Sequence, residues 1–173
     1  ELSGGKYTPK LLNDLKSLSD KAHFHLHNYF PPPPQPFVFN LASDDEHITE
    51  KSVSHVKTAV RWAQELEVPV FSFHAGFLFD PKPEELGIRI SSRAIQNRKE
   101  GLMRFIDRVN KLGMWAETEG VELLIENNVL SSANYQEFTV NPFILVDSEE
   151  AVYIMENTSE NVNLILDVAH LKV

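Results

Sequence analysis

The sequence predicts an α/β fold in which helices cover a sheet of parallel strands. Strand-like and helix-like patterns alternate along all 173 residues. Residues 123–125 and 164–166 are continuous apolar runs, which are typical of strands buried on both faces. Parallel strands need a crossover helix between them, and a helical pattern stands at each required place. No composition shift marks a boundary, so we expect one domain over 1–173.

The first strand–helix unit occupies the N-terminal segment. Residues 1–2 are expected to end a strand, and Thr8 with Pro9 predicts the start of a helix. Thr is a common helix N-cap, and Pro fits the first turn because its fixed φ suits a helix. Leucines at helical spacing carry this helix to about residue 18.

The second unit contains a run of alternating histidines. Residues 22–29 predict a strand whose three histidines face one way while the apolar side chains face the other. Four prolines at 31–34 exclude a helix or a central strand, so a stiff loop is expected there. The next helix is expected to begin at Ser43, with Glu46 completing a capping box, and to continue to about residue 66.

The third and fourth units have the clearest patterns. Residues 70–74 predict a strand, and a long loop over 77–90 precedes a helix expected over about 92–119. Apolar residues recur along that helix at helical spacing, and Gly120 is a suitable C-terminal stop. Residues 121–126 predict the fourth strand because apolar residues fill its centre.

The last unit follows another long connection over 127–146. Residues 148–157 predict a short helix, since acidic side chains at its start favour the first helical turn. Residues 162–167 predict the fifth strand. About five strand–helix units, complete or begun, are therefore expected.

Four of the predicted strands end in side chains that bind metal ions in other proteins. The C-terminal ends of parallel strands converge on one face, where active sites of such folds are built. Imidazole and carboxylate together suit Zn, Mn, Fe, Co or Ni. Any one such residue alone is more often structural, but agreement at four strand ends favours a metal site. These residues are His27, His74, Glu126 and Asp167, with His170 three positions later.

Composition excludes several other classes. Apolar residues make up 42% and charged residues 24% of the chain, so the sequence is neither disordered nor a membrane span. The absence of Cys excludes disulfides and thiolate metal ligands. The net charge of −9 argues mildly against a nucleic-acid partner or an anionic membrane surface. We expect a cytoplasmic protein.

Several motifs together resemble those of the xylose isomerase-like TIM-barrel superfamily. Residues 73–76 (Phe-His-Ala-Gly) resemble its His-Pro-Gly motif, and residues 120–127 look like its strand that ends in Glu-Asn. Residues 166–170 look like its Asp-x-x-His motif. Residues 26–29, followed by 39–43, resemble its second-strand histidine segment. The matches keep the family's order and span nearly the whole chain.

The resemblance implies roles for individual residues. Glu126 and Asp167 match carboxylates that hold the metal, and Glu126 also matches a residue that joins in proton transfer. His170 matches a substrate-contacting histidine in epimerases and a metal ligand in endonucleases. The positions of His27 and His74 hold another zinc in the endonucleases, whereas in the sugar enzymes they line the pocket or bind metal. Asn127, beside the Glu motif, and Phe77, in an apolar lid or packed under its loop, are predicted substrate contacts.

The resemblance implies a metal-dependent sugar, or sugar phosphate, isomerase or epimerase that uses a divalent ion such as Mn, Zn, Co or Mg. Two departures disfavour the endonuclease branch: residues 127–132 lack its Gly-rich stretch, and residues 75–77 lack its Pro-Gly-Ser. An apurinic endonuclease-like phosphodiesterase and a non-catalytic sugar-binding relative stay open as alternatives. The expected partner is a small sugar.

The length conflicts with a complete barrel of this family. A closed (β/α)8 barrel typically needs around 250 residues, and this chain has 173. We therefore expect a partial (β/α)8 TIM barrel, truncated at both ends, whose later strands would supply further site residues. A homo-oligomer, in which another copy covers the open sheet edges, is also possible on these grounds.

Overall fold

The computed structural model describes residues 1–172 and contains a four-stranded parallel sheet. The strand order follows the chain, and all neighbouring strands run parallel. The predicted α/β class is confirmed. The strands are β1 (Leu26–His27), β2 (Val70–His74), β3 (Glu122–Glu126) and β4 (Val162–Ile165).

Helices connect the strands, as parallel pairing requires. Short 3-10 turns lie at Pro83–Glu85 and Val168–Lys172. None of the helices in residues 1–172 is long and apolar enough to cross a membrane. The α-helices are α1 (Leu11–Lys16), α2 (Glu46–Glu65), α3 (Arg98–Thr118), α4 (Ser132–Phe138) and α5 (Ser148–Glu156).

The first two predicted strands are shorter than expected. The predicted strand end at residues 1–2 is a single parallel bridge between Leu2 and Leu26. The second strand was expected over 22–29, but only Leu26 and His27 pair with β2. It ends because Asn28 adopts a left-handed backbone with φ of 48°, which breaks the extended conformation.

Two helices begin later than predicted because other side chains cap them. Asp45 caps α2 by accepting a hydrogen bond from the Ile48 N–H, so the predicted capping box between Ser43 and Glu46 is wrong. The Ser43 hydroxyl instead donates to Asp80, at 2.7 Å. Helix α3 was expected from about residue 92, but Asn97 caps it and the helix begins at Arg98.

Helix α4 was not predicted, because it lies in the connection expected over 127–146. Ser131 caps it by accepting a hydrogen bond from the Asn134 N–H at 3.2 Å. Its seven residues are too few to establish a helical apolar period. The helix ends at Thr139, which has a left-handed backbone.

The core lies between the sheet and the two long helices. Phe71, Leu123 and Ile125 are fully buried in the strands. Helices α2 and α3 cover them with apolar stripes at helical spacing. These stripes comprise Val56, Ala59, Val60 and Ala63 of α2, and Phe105, Val109, Leu112 and Ala116 of α3.

Buried asparagines hold the loops at the C-terminal ends of the strands. Asn40 is fully buried, and its amide donates to the carbonyl oxygens of Phe77 and Phe79 and to Asp80. Next to it, a Cβ on Gly76 would lie 2.8 Å from Ala42 Cβ and from Asn40 Oδ1, so no larger residue fits. These contacts fix the loop that leaves β2.

Candidate metal centre

Five titratable side chains converge where the strands end. His74 and Glu126 are register partners on β2 and β3, so their side chains leave the sheet at the same level and on the same face. His27 ends β1, while Asp167 and His170 follow β4. All five line one cavity of about 590 Å³. The structure thus brings together the five residues that sequence analysis selected.

The side chains form two groups that share Glu126. In the first group, Glu126 Oε2 lies 3.4 Å from His27 Nδ1, and Glu126 Oε1 lies 3.7 Å from His74 Nδ1. In the second, Glu126 Oε1 lies 3.7 Å from His170 Nδ1, and Asp167 Oδ2 lies 3.3 Å from His170 Nε2. The potential ligand atoms within each group lie within 4.8 Å of one another.

The Ser72 side chain forms a hydrogen bond with the His27 ring. Its fully buried hydroxyl oxygen lies 2.8 Å from His27 Nδ1 and 2.8 Å from His25 Nε2. A hydroxyl has one proton, so it can donate to one imidazole and accept an N–H from the other. Sequence analysis missed this role of Ser72, although its parity in β2 puts it on the same face as His74.

Asn127 forms hydrogen bonds with Asp167 and His170 of the second group. Its side-chain oxygen accepts the Asp167 N–H at 2.7 Å, and its carbonyl oxygen lies 2.8 Å from His170 Nδ1. Among residues 1–172, those that line this cavity do not include Asn127. Its observed contacts are with the candidate ligands, and its predicted contact with substrate stays a prediction.

Burial controls the charge of the first group. Desolvation, followed by repulsion from neighbouring histidines, lowers the pKa of His27 and of His74 from 6.5 to about 4. Both imidazoles are therefore neutral at pH 7 and have a lone pair for a metal. Burial also raises the pKa of Glu126, while His170 lowers it and Asp167 raises it. A buried carboxylate whose nearest partners are neutral imidazoles is poorly compensated, which a cation would correct.

His74 provides the direct test of whether these residues fit a metal. Its Nδ1 atom is buried and makes no hydrogen bond. Buried polar atoms nearly always have a partner, so an atom without one indicates a missing ion, water or ligand. Neutral imidazoles and carboxylates are the ligands that Zn and related ions prefer. The residues present fit a divalent metal.

A family model described as xylose isomerase-like TIM barrel matches residues 3–172. The chain belongs to this family. No curated protein sequence matches it.

Several solved structures superimpose on nearly the whole chain. A D-tagatose 3-epimerase-like protein is 21% identical, with a TM-score of 0.67 over 95% of this chain and 52% of that one. D-psicose 3-epimerase from Clostridium cellulolyticum H10 is 17% identical, with a TM-score of 0.65 over 96% and 51%. A Thermus thermophilus protein soaked with ZnCl2 is 20% identical, with a TM-score of 0.60 over 98% and 58%.

The chain spans about half the length of these structures, and at such identities the likeness shows the fold alone. The predicted partial TIM barrel and the family resemblance are confirmed. The single domain, a homo-oligomer, the cytoplasmic location and the roles of individual residues stay predictions.

Phe77, the remaining predicted substrate contact, is not among the residues of 1–172 that line the polar cavity. Its ring packs edge-on against Phe143, with centroids 5.3 Å apart, in a small cluster that also contains Phe79 and Phe138. It lines a second, neighbouring cavity. Of the two alternatives for Phe77, packing beneath the loop is observed.

Proposed function

We propose that the protein is a metal-dependent isomerase or epimerase of sugars or sugar phosphates, which moves a proton next to a carbonyl group. The observation that carries this proposal is the position of Glu126, a buried carboxylate shared by two potential ligand groups. The names of two similar structures, a tagatose epimerase-like protein and a psicose epimerase, point to the same substrate class.

The candidate ligands divide between the two groups. Asp167 and Glu126 supply negative charge, while the neutral His27 and His74 supply nitrogen lone pairs. When bound, a divalent ion supplies positive charge that stabilises a carbonyl oxygen as negative charge develops on it.

Glu126 is the candidate base of this chain. Its raised pKa makes it a stronger base than an exposed Glu, and a base works best when its pKa lies close to the working pH. Glu126 would accept the proton from the carbon beside the carbonyl and return it to the neighbouring carbon on the same face. Isomerisation therefore needs this one carboxylate, whereas inversion at one carbon needs a second acid on the opposite face.

His170 is the candidate contact to the substrate oxygens. Asp167 and the Asn127 carbonyl fix its ring on both sides, with contacts of 3.3 and 2.8 Å. Because Nδ1 donates to the Asn127 carbonyl, Nε2 is the nitrogen that would exchange a proton with a substrate hydroxyl group. His170 would thus move the hydroxyl proton while Glu126 moves the carbon-bound proton.

One observation favours a second candidate function. The group His27, His74 and Glu126 is a compact three-residue ligand set in its own right. Two adjacent metal ions suit hydrolysis of a phosphodiester, because they stabilise the attacking and the leaving oxygen together. An apurinic endonuclease-like phosphodiesterase is therefore the alternative, and a sugar-binding relative without turnover is the third.

The deciding experiment follows proton exchange. Protein loaded with Mn²⁺, Zn²⁺, Co²⁺ or Mg²⁺ is incubated in D₂O with a panel of ketoses and aldoses. Deuterium entering the carbon next to the carbonyl, detected by NMR, supports the isomerase proposal. Nicking of a duplex with one abasic site supports the phosphodiesterase, and saturable sugar binding without either reaction supports the binding protein.

Two variants test the assigned residues. Glu126→Gln and Asp167→Asn should each abolish the exchange, because both remove a candidate ligand and the first also removes the base. Glu117→Gln changes an exposed carboxylate on α3 and serves as the matched control. Full exchange by Glu126→Gln would refute the proposed role of this residue.

A further inference from the structure

A second cavity adjoins the polar one. It has a volume of about 540 Å³, comparable to small-molecule sites in general. Asn28, His74 and His170 line both cavities, so the two cavities lie side by side. Among the described residues, the carboxylates that could bind a metal line the polar cavity and not the second one.

The wall of the second cavity is largely apolar. Phe39 and Ile90 are buried in it, with 3% of their surface exposed. Ile88 and Leu86 line it as well, although they are 60% and 39% exposed. Large apolar side chains that face water beside a polar site cost free energy until a ligand covers them.

Three of the polar residues in this wall are bonded to other protein groups. The Asn128 amide donates to the carbonyl oxygens of Ala75 and Ile144, at 2.7 and 2.9 Å. Asn134 Oδ1 accepts the Ile90 N–H at 2.8 Å, and Arg89 pairs with Glu137. A sugar hydroxyl buried beside these three residues would exchange water for few free partners, which costs free energy.

From these contacts we infer that the substrate carries an apolar substituent, an alkyl or aryl group, on its hydroxy-carbonyl part. This inference rests on the proposed function. The hydroxy-carbonyl part lies in the polar cavity beside Glu126, and the substituent fills the cavity lined by Ile88 and Phe77. An unsubstituted sugar would leave that apolar surface in contact with water.

A series of probes that differ only in the length of an alkyl group measures how much the apolar substituent contributes to binding. The probes are D-fructose and its 6-O-methyl, 6-O-propyl and 6-O-pentyl ethers, titrated calorimetrically into the Mn²⁺-loaded protein. Burial of each added methylene should tighten binding about fourfold, the factor that corresponds to the usual transfer free energy of a CH₂ group. Equal affinities along the series would overturn the inference.

Two variants test whether the alkyl group binds in the second cavity. Ile88→Asn introduces an amide at the cavity mouth and should reduce the gain to about twofold or less per methylene, because the substituent then meets a polar group. Val152→Asn alters a residue on α5 that is 56% exposed and is not among the described residues lining either cavity, so it should leave the gain unchanged. A gain that survives in Ile88→Asn places the substituent elsewhere and contradicts the inference.

The outcomes separate this inference from the proposed function. If D-fructose binds and exchanges deuterium but the series is flat, the inference fails and the proposed function stands. If the ethers bind progressively more tightly but no probe exchanges deuterium, the apolar subsite stands and the isomerase activity fails. If no probe binds, the inference fails, and the exchange panel of ketoses and aldoses decides the proposed function.

Discussion

Acidification of the metal-free protein should reveal the buried histidines of the candidate metal centre. Burial lowers the pKa of His74 to about 4, whereas in the unfolded chain it has the ordinary value of 6.5. The unfolded chain therefore binds a proton first as the pH falls. The stability associated with the neutral ring is fully present above pH 6.5 and is lost as the pH falls towards 4.

The size of the effect follows from the same two values. At pH 4.5, protonation of His74 in the unfolded chain should lower the free energy of unfolding by about 2.5 kcal/mol, because one pKa unit corresponds to 1.36 kcal/mol. The expected loss is a large fraction of the stability of a typical domain.

The assay compares wild type with His74→Gln in EDTA. Urea unfolding, followed by Trp fluorescence at pH 7.5, 6.5, 5.5 and 4.5, gives the difference in unfolding free energy between them. That difference should shift by about 2.5 kcal/mol in favour of the variant on going to pH 4.5. Exposed Gln64 provides the control variant Gln64→Ala, which removes no titratable group, so the difference should stay constant. If the unfolding free energies of wild type and His74→Gln changed equally with pH, the electrostatic argument would be refuted.

Three further changes test the supports of the site. Ser72→Ala removes the hydroxyl that holds His27, so Mn²⁺ affinity, measured by chelator competition, should fall about 10- to 100-fold; unchanged affinity would contradict the positioning role. Asn40→Ala leaves buried carbonyl oxygens without donors and should lower the unfolding free energy by about 3 kcal/mol, as measured in urea. Gly76→Ala should cost about 1 to 3 kcal/mol in the same assay through overpacking, whereas Gly4→Ala, whose Cβ has nothing within 4 Å, should be neutral.

The sheet and the site were predictable because local sequence determines both. Residues 70–74 were predicted as a strand with the observed ends, since the apolar run stops at His74. Parallel strands expose their C-terminal ends on one face, so side chains far apart in sequence could be assigned to one site before any distance was known.

The caps were not predictable, because partners distant in sequence decide them. Ser43 has the right chemistry to cap α2, but Asp80, which lies on another loop, binds its hydroxyl. Asp45 then caps the helix two residues later. In the same way, Phe77 packs against Phe143 from the connection after β3, a contact between distant segments that local sequence does not predict, and its contact with substrate stays a prediction.

Strand register explains why the two histidines of the first ligand group differ. His27 is the register partner of Ser72, whereas His74 is the register partner of Glu126. His27 therefore lies level with a residue two positions before His74, about 7 Å farther from the C-terminal ends of the strands. At that level its Nδ1 meets the Ser72 hydroxyl, while the Nδ1 of His74 has no partner. A one-residue slip between β1 and β2 would move Ser72 to the opposite face relative to His27 and remove this support. The parallel register therefore determines which of the two Nδ1 atoms is hydrogen-bonded to the protein and which is not.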